Sequence, residues 1–203
     1  MADNKKELSN IEFSKDAAHY DQSKRYETLR KSYPTIVAEA LSSPFAAMLD
    51  IGCGTGALLQ MIQEKRKDAR LFGVDLSEQM IQVAKAKLGE KADLRVSDSE
   101  KLPFSNEAFD LVMCTFSFHH YPNPGAVLLE VRRVLAPSGR LILADPTGPM
   151  PLRQLGMVIG IFIKDGTVRI YSKKEMHGLA KGAGLEVTKW VKLNWHSYMM
   201  VAR

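Results

Sequence analysis

Leu49-Asp50-Ile51-Gly52-Cys53-Gly54-Thr55-Gly56 decides the fold. The apolar run Ala47–Ile51 reads as a buried strand. After the glycines, Leu58, Leu59 and Ile62 share one face of a helix from Gly56 to Lys65. A strand that turns through glycines into a helix opens a βαβ unit. The glycines permit a tight turn and let a ligand approach the backbone. Read as Gly52-x-Gly54-x-x-Ala57, the loop also fits the dinucleotide fingerprint, so it does not by itself name its ligand.

The alternation continues downstream. Arg70–Asp75 reads as a second strand, and Ser77 caps a helix from Glu78 to Leu88 that Gly89 closes. Asp93–Val96 is a third strand and Phe109–Cys114 a fourth. A helix over Ala126–Leu135 is stopped by Pro137-Ser138-Gly139, before a fifth strand at Arg140–Ala144. Strands alternating with helices imply right-handed crossovers and a parallel sheet. After Ala144 the rhythm breaks at Pro146, Gly148, Pro149 and Pro151, and the apolar stretch Leu155–Ile163 follows. Ser172–Ala183 reads as a helix, and Leu185–Trp195 with Ser197–Ala202 as an antiparallel pair. Upstream, residues 10–41 read as helix, with Pro34 starting a second one. The expected fold is α/β: a Rossmann-like, doubly wound, mostly parallel seven-stranded sheet with a C-terminal antiparallel strand pair and N-terminal helices. We expect one domain over 1–203, with a helical cap (1–45), a binding core (46–145), a short substrate-side insertion (146–171) and a last helix and hairpin (172–203).

Composition narrows the class. The chain has 203 residues, 45 % hydrophobic and 25 % charged, which suits one ordinary globular domain. Two cysteines, Cys53 and Cys114, cannot make a disulfide framework or a cysteine zinc site. The start, Met1-Ala-Asp-Asn-Lys-Lys-Glu7, lacks the apolar run of a signal peptide, and no stretch approaches the ~20 apolar residues of a membrane span. The expectation is a cytoplasmic protein without stable membrane insertion. The net charge of +5 is too mild to imply nucleic acid. It is unevenly placed: residues 146–203 carry nine basic and three acidic side chains, whereas residues 1–45 carry seven of each.

Acids surround the glycine loop. Asp50 ends the first strand, Asp75 ends the second, 19 residues after Gly56, and Asp98 follows the third. With Cys114 they fall on one sheet edge, where open α/β sheets bind ligands. Here the sequence resembles the class I S-adenosylmethionine (SAM)-dependent methyltransferases, small-molecule type, and within them the quinone-biosynthesis group. The motifs are Leu49–Gly56, Gly73–Met80, Asp98-Ser-Glu-Lys-Leu-Pro-Phe104, Phe109-Asp-Leu-Val112 and Val134–Leu141, with Phe13, Ala17, Tyr20 and Asp21 upstream. Pro137-Ser138-Gly139 departs mildly from that family's proline and double glycine. The resemblance implies that Gly52, Cys53, Gly54 and Gly56 pass close to the amino-acid part of SAM. It implies that Asp50 holds the ammonium, Asp75 the ribose, Leu76 and Ser99 the adenine ring, and Asp98 the adenine amino group. Backbone at Cys114 or Thr115 would face the methionine part. S-adenosylhomocysteine would be the product.

His119 and His120 fall where a substrate would meet the methyl group, and with Tyr20 they are the candidates for proton transfer. Each could equally be a satisfied structural residue, and adjacent histidines make poor metal ligands, so no metal is expected. Leu155–Ile163 is either a packing helix or the wall of an acceptor pocket. Arg153, Arg169, Lys173 and Lys174 would meet an anionic acceptor, or are solvated faces. The expected partner is a small molecule or short peptide, for a monomer or homodimer. Alternatives are a catalytically silent SAM-binding regulator or, on the loop alone, an NAD(P)-dependent oxidoreductase. Nucleic-acid methylation is not expected, because Cys114-Thr-Phe-Ser117 replaces an Asn-Pro-Pro-Tyr-type motif.

Overall fold

The computed structural model describes residues 2–148 and 167–203. Its sheet is built from β1 (Ala47–Ile51), β2 (Arg70–Asp75), β3 (Asp93–Val96), β4 (Phe109–Thr115), β5 (Leu135–Pro146), β6 (Val187–Asn194) and β7 (Ser197–Ala202). The order is β3-β2-β1-β4-β5-β7-β6. The first five strands pair in parallel, and β7 lies antiparallel to both β5 and β6. The order reverses between β1 and β4, which creates a crevice at the carboxyl ends of the strands. The Gly52–Gly56 loop leaves β1 at that crevice.

Among the described residues the helices are α1 (Ala2–Asp16), α2 (Lys24–Arg30), α3 (Tyr33–Ala40), α4 (Ala57–Lys65), α5 (Glu78–Leu88), α6 (Pro124–Val134) and α7 (Lys173–Gly182). Caps set their ends. Ser77 Oγ accepts the Met80 N–H, and Ser172 with Glu175 forms a reciprocal capping box. No helix among the described residues is long and apolar enough to cross a membrane.

The N-terminal region departs from the expected pair of helices. It forms three helices with a 3-10 turn at Tyr20–Gln22, and α1 begins eight residues earlier than expected. The chain over Ala2–Ser9 is polar and has no apolar stripe to report a helix. Ser23 divides the segment, because its Oγ accepts the Tyr26 N–H and starts α2. Pro34 does sit in the first turn of α3. The other departure is Pro137-Ser138-Gly139, which lies inside β5 as an irregularity. Pairing jumps from Phe109 with Leu135 to Leu111 with Arg140. A Cβ on Gly139 would stand 2.9 Å from the Ala136 carbonyl oxygen, so the tight backbone there needs glycine.

Alternation along the strands builds two cores. Leu49, Ile51, Val112, Cys114, Leu141 and Leu143 pack with α6 and α7. Met48, Leu111, Met113 and Ile142 pack on the other face with α3, α4 and α5. Cys53 belongs to that second cluster, so the sheet separates it from Cys114; both thiols are free and buried. Arg140 also points to the α3 face. It is 6 % exposed, and its guanidinium donates to the Ala40 carbonyl at 2.7 Å and to Ser42 Oγ at 3.1 Å. This clamps the carboxyl end of α3 to β5. Arg140→Ala leaves those acceptors facing apolar surroundings and is expected to cost about 2–3 kcal/mol in urea unfolding.

Candidate functional site

Backbone conformation makes the loop. Gly52, Gly54 and Gly56 all adopt left-handed φ values of +69°, +53° and +73°. The N–H groups of Gly52 and Cys53 both donate to the Val74 carbonyl, which folds the loop over the end of β2. A Cβ at Gly52 would stand 2.5 Å from Ser117 Oγ, whereas one at Gly54 would meet nothing within 4 Å. Gly52 is therefore required for packing, and Gly54 leaves backbone open to a ligand. Gly56 faces away, against Leu88 and Ala84 of α5.

Asp75 ties the pieces together. Its Oδ2 accepts the Gly54 N–H and its Oδ1 the Ser77 N–H, each at 2.9 Å. Burial raises its pKa, and the backbone hydrogen bonds partly offset that.

A cavity of about 1060 Å³, including its open mouth, lies over the loop. Asp50 forms part of its lining, is 1 % exposed, and has an Oδ1 without a hydrogen-bond partner. Burial, reinforced by the nearby Asp75 charge, pushes its pKa up to about 8. A buried carboxylate oxygen with no donor beside an open glycine backbone fits a ligand bearing an ammonium group. Across the cavity, Phe116 follows β4 at φ +54°, a conformation that side chains disfavour. Phe13, Tyr20, Tyr26 and Tyr33 complete an aromatic wall.

Among the expected site residues, Asp50, Gly52, Cys53, Gly54, Asp75, Leu76, Asp98, Ser99, Thr115, His120 and Tyr20 all line this one cavity. Several others do not. Cys114 points into the opposite core, with its Sγ 3.3 Å from Ser117 Oγ. Burial pushes both cysteine thiols up, which keeps them protonated and poor nucleophiles. The 3-10 turn Phe118–His120 leaves the two histidine rings 3.9 Å apart and tilted, but gives each different surroundings. His120 faces the cavity against Phe13, and His119 Nδ1 lies 2.9 Å from Asp145 Oδ1. Arg169 pairs with Glu175, Lys173 lies over the Trp190 ring, and Lys174 is exposed at the start of α7. None of these three lines that cavity, but Arg169 lines a second one beside it that shares Pro122, and its backbone N–H donates to the His119 carbonyl. Arg153 and the stretch Leu155–Ile163 lie outside the described residues. Among the described residues no cluster of three metal-ligating side chains occurs.

The structure adds the first turns of α1, residues 2–9, which the sequence did not signal. Lys6, Ser9, Asn10 and Phe13 close one side of the cavity. Lys6 pairs with Asp98 at 2.7 Å and Glu100 at 2.8 Å, and Ser14 Oγ lies 2.8 Å from Ser77 Oγ. A lysine in a polar run carries no spacing signal, and its partners are more than 90 residues away.

The profile of a family described as "Methyltransferase domain" matches residues 49–143. The chain is 30 % identical to the demethylmenaquinone methyltransferase of Thermotoga maritima over 58 % of this chain and 51 % of that protein. It is 27 % identical to the ubiquinone/menaquinone biosynthesis C-methyltransferase UbiE of Desulfotalea psychrophila, over 81 % of this chain and 74 % of that one. The match to the Thermotoga protein thus spans about half that relative's length. In fold, the chain superposes on the Burkholderia thailandensis 1,6-didemethyltoxoflavin-N1-methyltransferase, solved with S-adenosylhomocysteine. The TM-score is 0.75 at 17 % identity, over 100 % of this chain and 90 % of that one.

Two outcomes follow from the loop and the buried acid. Gly52→Ala forces both a strained φ and a clash with Ser117, and is expected to cost about 2–4 kcal/mol in denaturant unfolding. Asp50 keeps its proton to about pH 8 in the folded chain, against 3.8 for an ordinary carboxyl. The unfolded chain releases that proton first, so this group's contribution to stability falls as pH rises from about 4 to about 8. Asp50→Asn removes the loss. Its melting temperature should match the parent near pH 4, exceed it increasingly toward pH 8, and keep a constant gap above that, as read by scanning fluorimetry.

Proposed function

We propose that the chain is a class I SAM-dependent methyltransferase, in keeping with the methyltransferase-domain profile that matches residues 49–143, and that it methylates an aromatic small molecule by in-line displacement. The orphan Oδ1 of Asp50 carries this reading: the buried carboxyl faces the cavity, and an ammonium bound there would favour its ionised form. The dinucleotide reading of the glycine loop falls away, since the family profile covers that same loop.

On this reading Asp50 accepts the ammonium of the cofactor, and the open backbone at Gly54 and Thr115 flanks its amino-acid part. Asp75 has lone pairs left for the ribose hydroxyls after serving Gly54 and Ser77. Leu76 packs against the adenine, and the Ser99 amide donates to its ring. Asp98 receives the adenine amino group while sharing its carboxylate with Lys6. When bound, SAM supplies a methyl already activated by its sulfonium. The protein's own part is to hold the acceptor in line and to exclude water, which can supply roughly 7–11 kcal/mol of the barrier. The aromatic wall of Phe13, Tyr20 and Phe116 suits a planar, apolar acceptor. His120 stands at the wall to take a proton where the acceptor carries one, and His119 lies behind it on Asp145.

The quinone methyltransferases among the relatives favour an acceptor of that chemical kind, methylated on carbon.

Asp75→Ala should weaken SAM binding by at least about 2–3 kcal/mol in calorimetry, because it loses the ribose acceptor and loosens the loop together. Unchanged affinity would overturn the site assignment. The activity itself is tested by incubating the chain with methyl-labelled SAM and a host extract. The expected result is S-adenosylhomocysteine release with one labelled aromatic product identified by mass spectrometry. Cofactor binding without any release would instead favour a silent SAM-binding protein.

A further inference from the structure

We propose that the sheet edge carrying the cavity docks reversibly on an anionic lipid bilayer. Two features that methyl transfer does not use lead there. One is a group of exposed lysines at this edge, Lys173, Lys174, Lys192 and Lys5. The other is the placement of exposed apolar side chains. Five large ones are exposed among the described residues, and four of them, Leu8, Ile11, Val96 and Trp195, belong to this one edge.

Topology fixes their positions. Val96 ends β3, where it pairs with Asp75. Trp195, 70 % exposed, sits in the β6–β7 turn, beside the pairing of Pro146 with Ser197 at the end of β5. Leu8 and Ile11 lie three residues apart on one face of α1, while Lys6 and Phe13 of that helix face the cavity. From β3 to β7 the sheet makes five strand steps, about 24 Å. Exposed apolar groups spread that widely suit a flat surface better than a peptide groove.

These lysines adjoin the exposed indole. Thr147 N–H donates to the His196 carbonyl and Thr147 Oγ1 to the Tyr171 carbonyl, so the Trp195 turn and the start of α7 adjoin one residue. Lys173 and Lys174 begin α7 and are exposed, as are Lys192 on β6 and Lys5 on α1. Of the nearby acids, Asp98 and Glu100 are committed to Lys6 and Glu175 to Arg169, while Glu7 and Glu78 are exposed. Lysines attract anionic headgroups and an indole seats itself in the headgroup layer. A few such contacts give peripheral, salt-sensitive binding. The docking is independent of which acceptor the cavity takes.

The test is co-sedimentation of the full chain with vesicles of phosphatidylcholine alone or with about 30 % phosphatidylglycerol, a typical anionic load. Tryptophan emission is followed in parallel. We expect at least tenfold more protein on the anionic vesicles and a blue shift from Trp195. Trp195→Ala should lose the shift and several-fold in binding, and Lys173→Glu with Lys174→Glu most of the binding, with unchanged melting temperatures. No binding to anionic vesicles overturns the proposal. So does binding that Trp195→Ala leaves intact, or a blue shift absent while polyglutamate competes fully, the result expected for an acidic protein partner.

Discussion

The two hydrogen bonds accepted by Asp75 are the constraint on which the site depends. They join the end of one strand, the glycine loop of its neighbour and the cap of α5 through a single carboxylate. Gly54 is held in a left-handed conformation with its N–H spent on Asp75, so the loop's shape is set before any ligand arrives. Ser77 is held in the same way, and its hydroxyl then accepts the Met80 N–H and starts the helix. Asp50 is buried beside this arrangement and raises the cost of a second negative charge there, which is one reason its own proton is hard to remove.

The central fold was legible because its signals are local. The ends of β1, β2, β3 and α5 match the sequence reading residue for residue, since short apolar runs end at Asp50-Ile51, Asp75 and Val96 and serine marks the helix start. Seven strands and the final antiparallel pair follow from the same punctuation. The lining of the cavity was legible wherever a residue comes from the strand ends that share the crevice.

What remained hidden depends on long-range partners. Helix α1 has no apolar stripe of its own, and its position rests on Lys6 reaching Asp98 and Glu100. Adjacent histidines look alike in sequence; only the turn at Phe118–His120 and the carboxylate of Asp145, 26 residues from His119, tell them apart. The basic excess was visible as a sum, but a sum has no direction. Arg169 and Lys173 find Glu175 and Trp190, while the cavity wall is built of aromatic rings.

The buried acid at position 50 has a consequence for turnover. If it grips the ammonium, it holds a part of the cofactor that methyl transfer does not alter. Such a grip strengthens the starting complex, the transition state and the spent product alike, so it adds occupancy without lowering the chemical barrier. The same contact then delays departure of S-adenosylhomocysteine. A tight amino-acid subsite therefore makes the chain a good sensor of the ratio of spent to fresh cofactor, and moves the burden of speed to whatever opens the cavity.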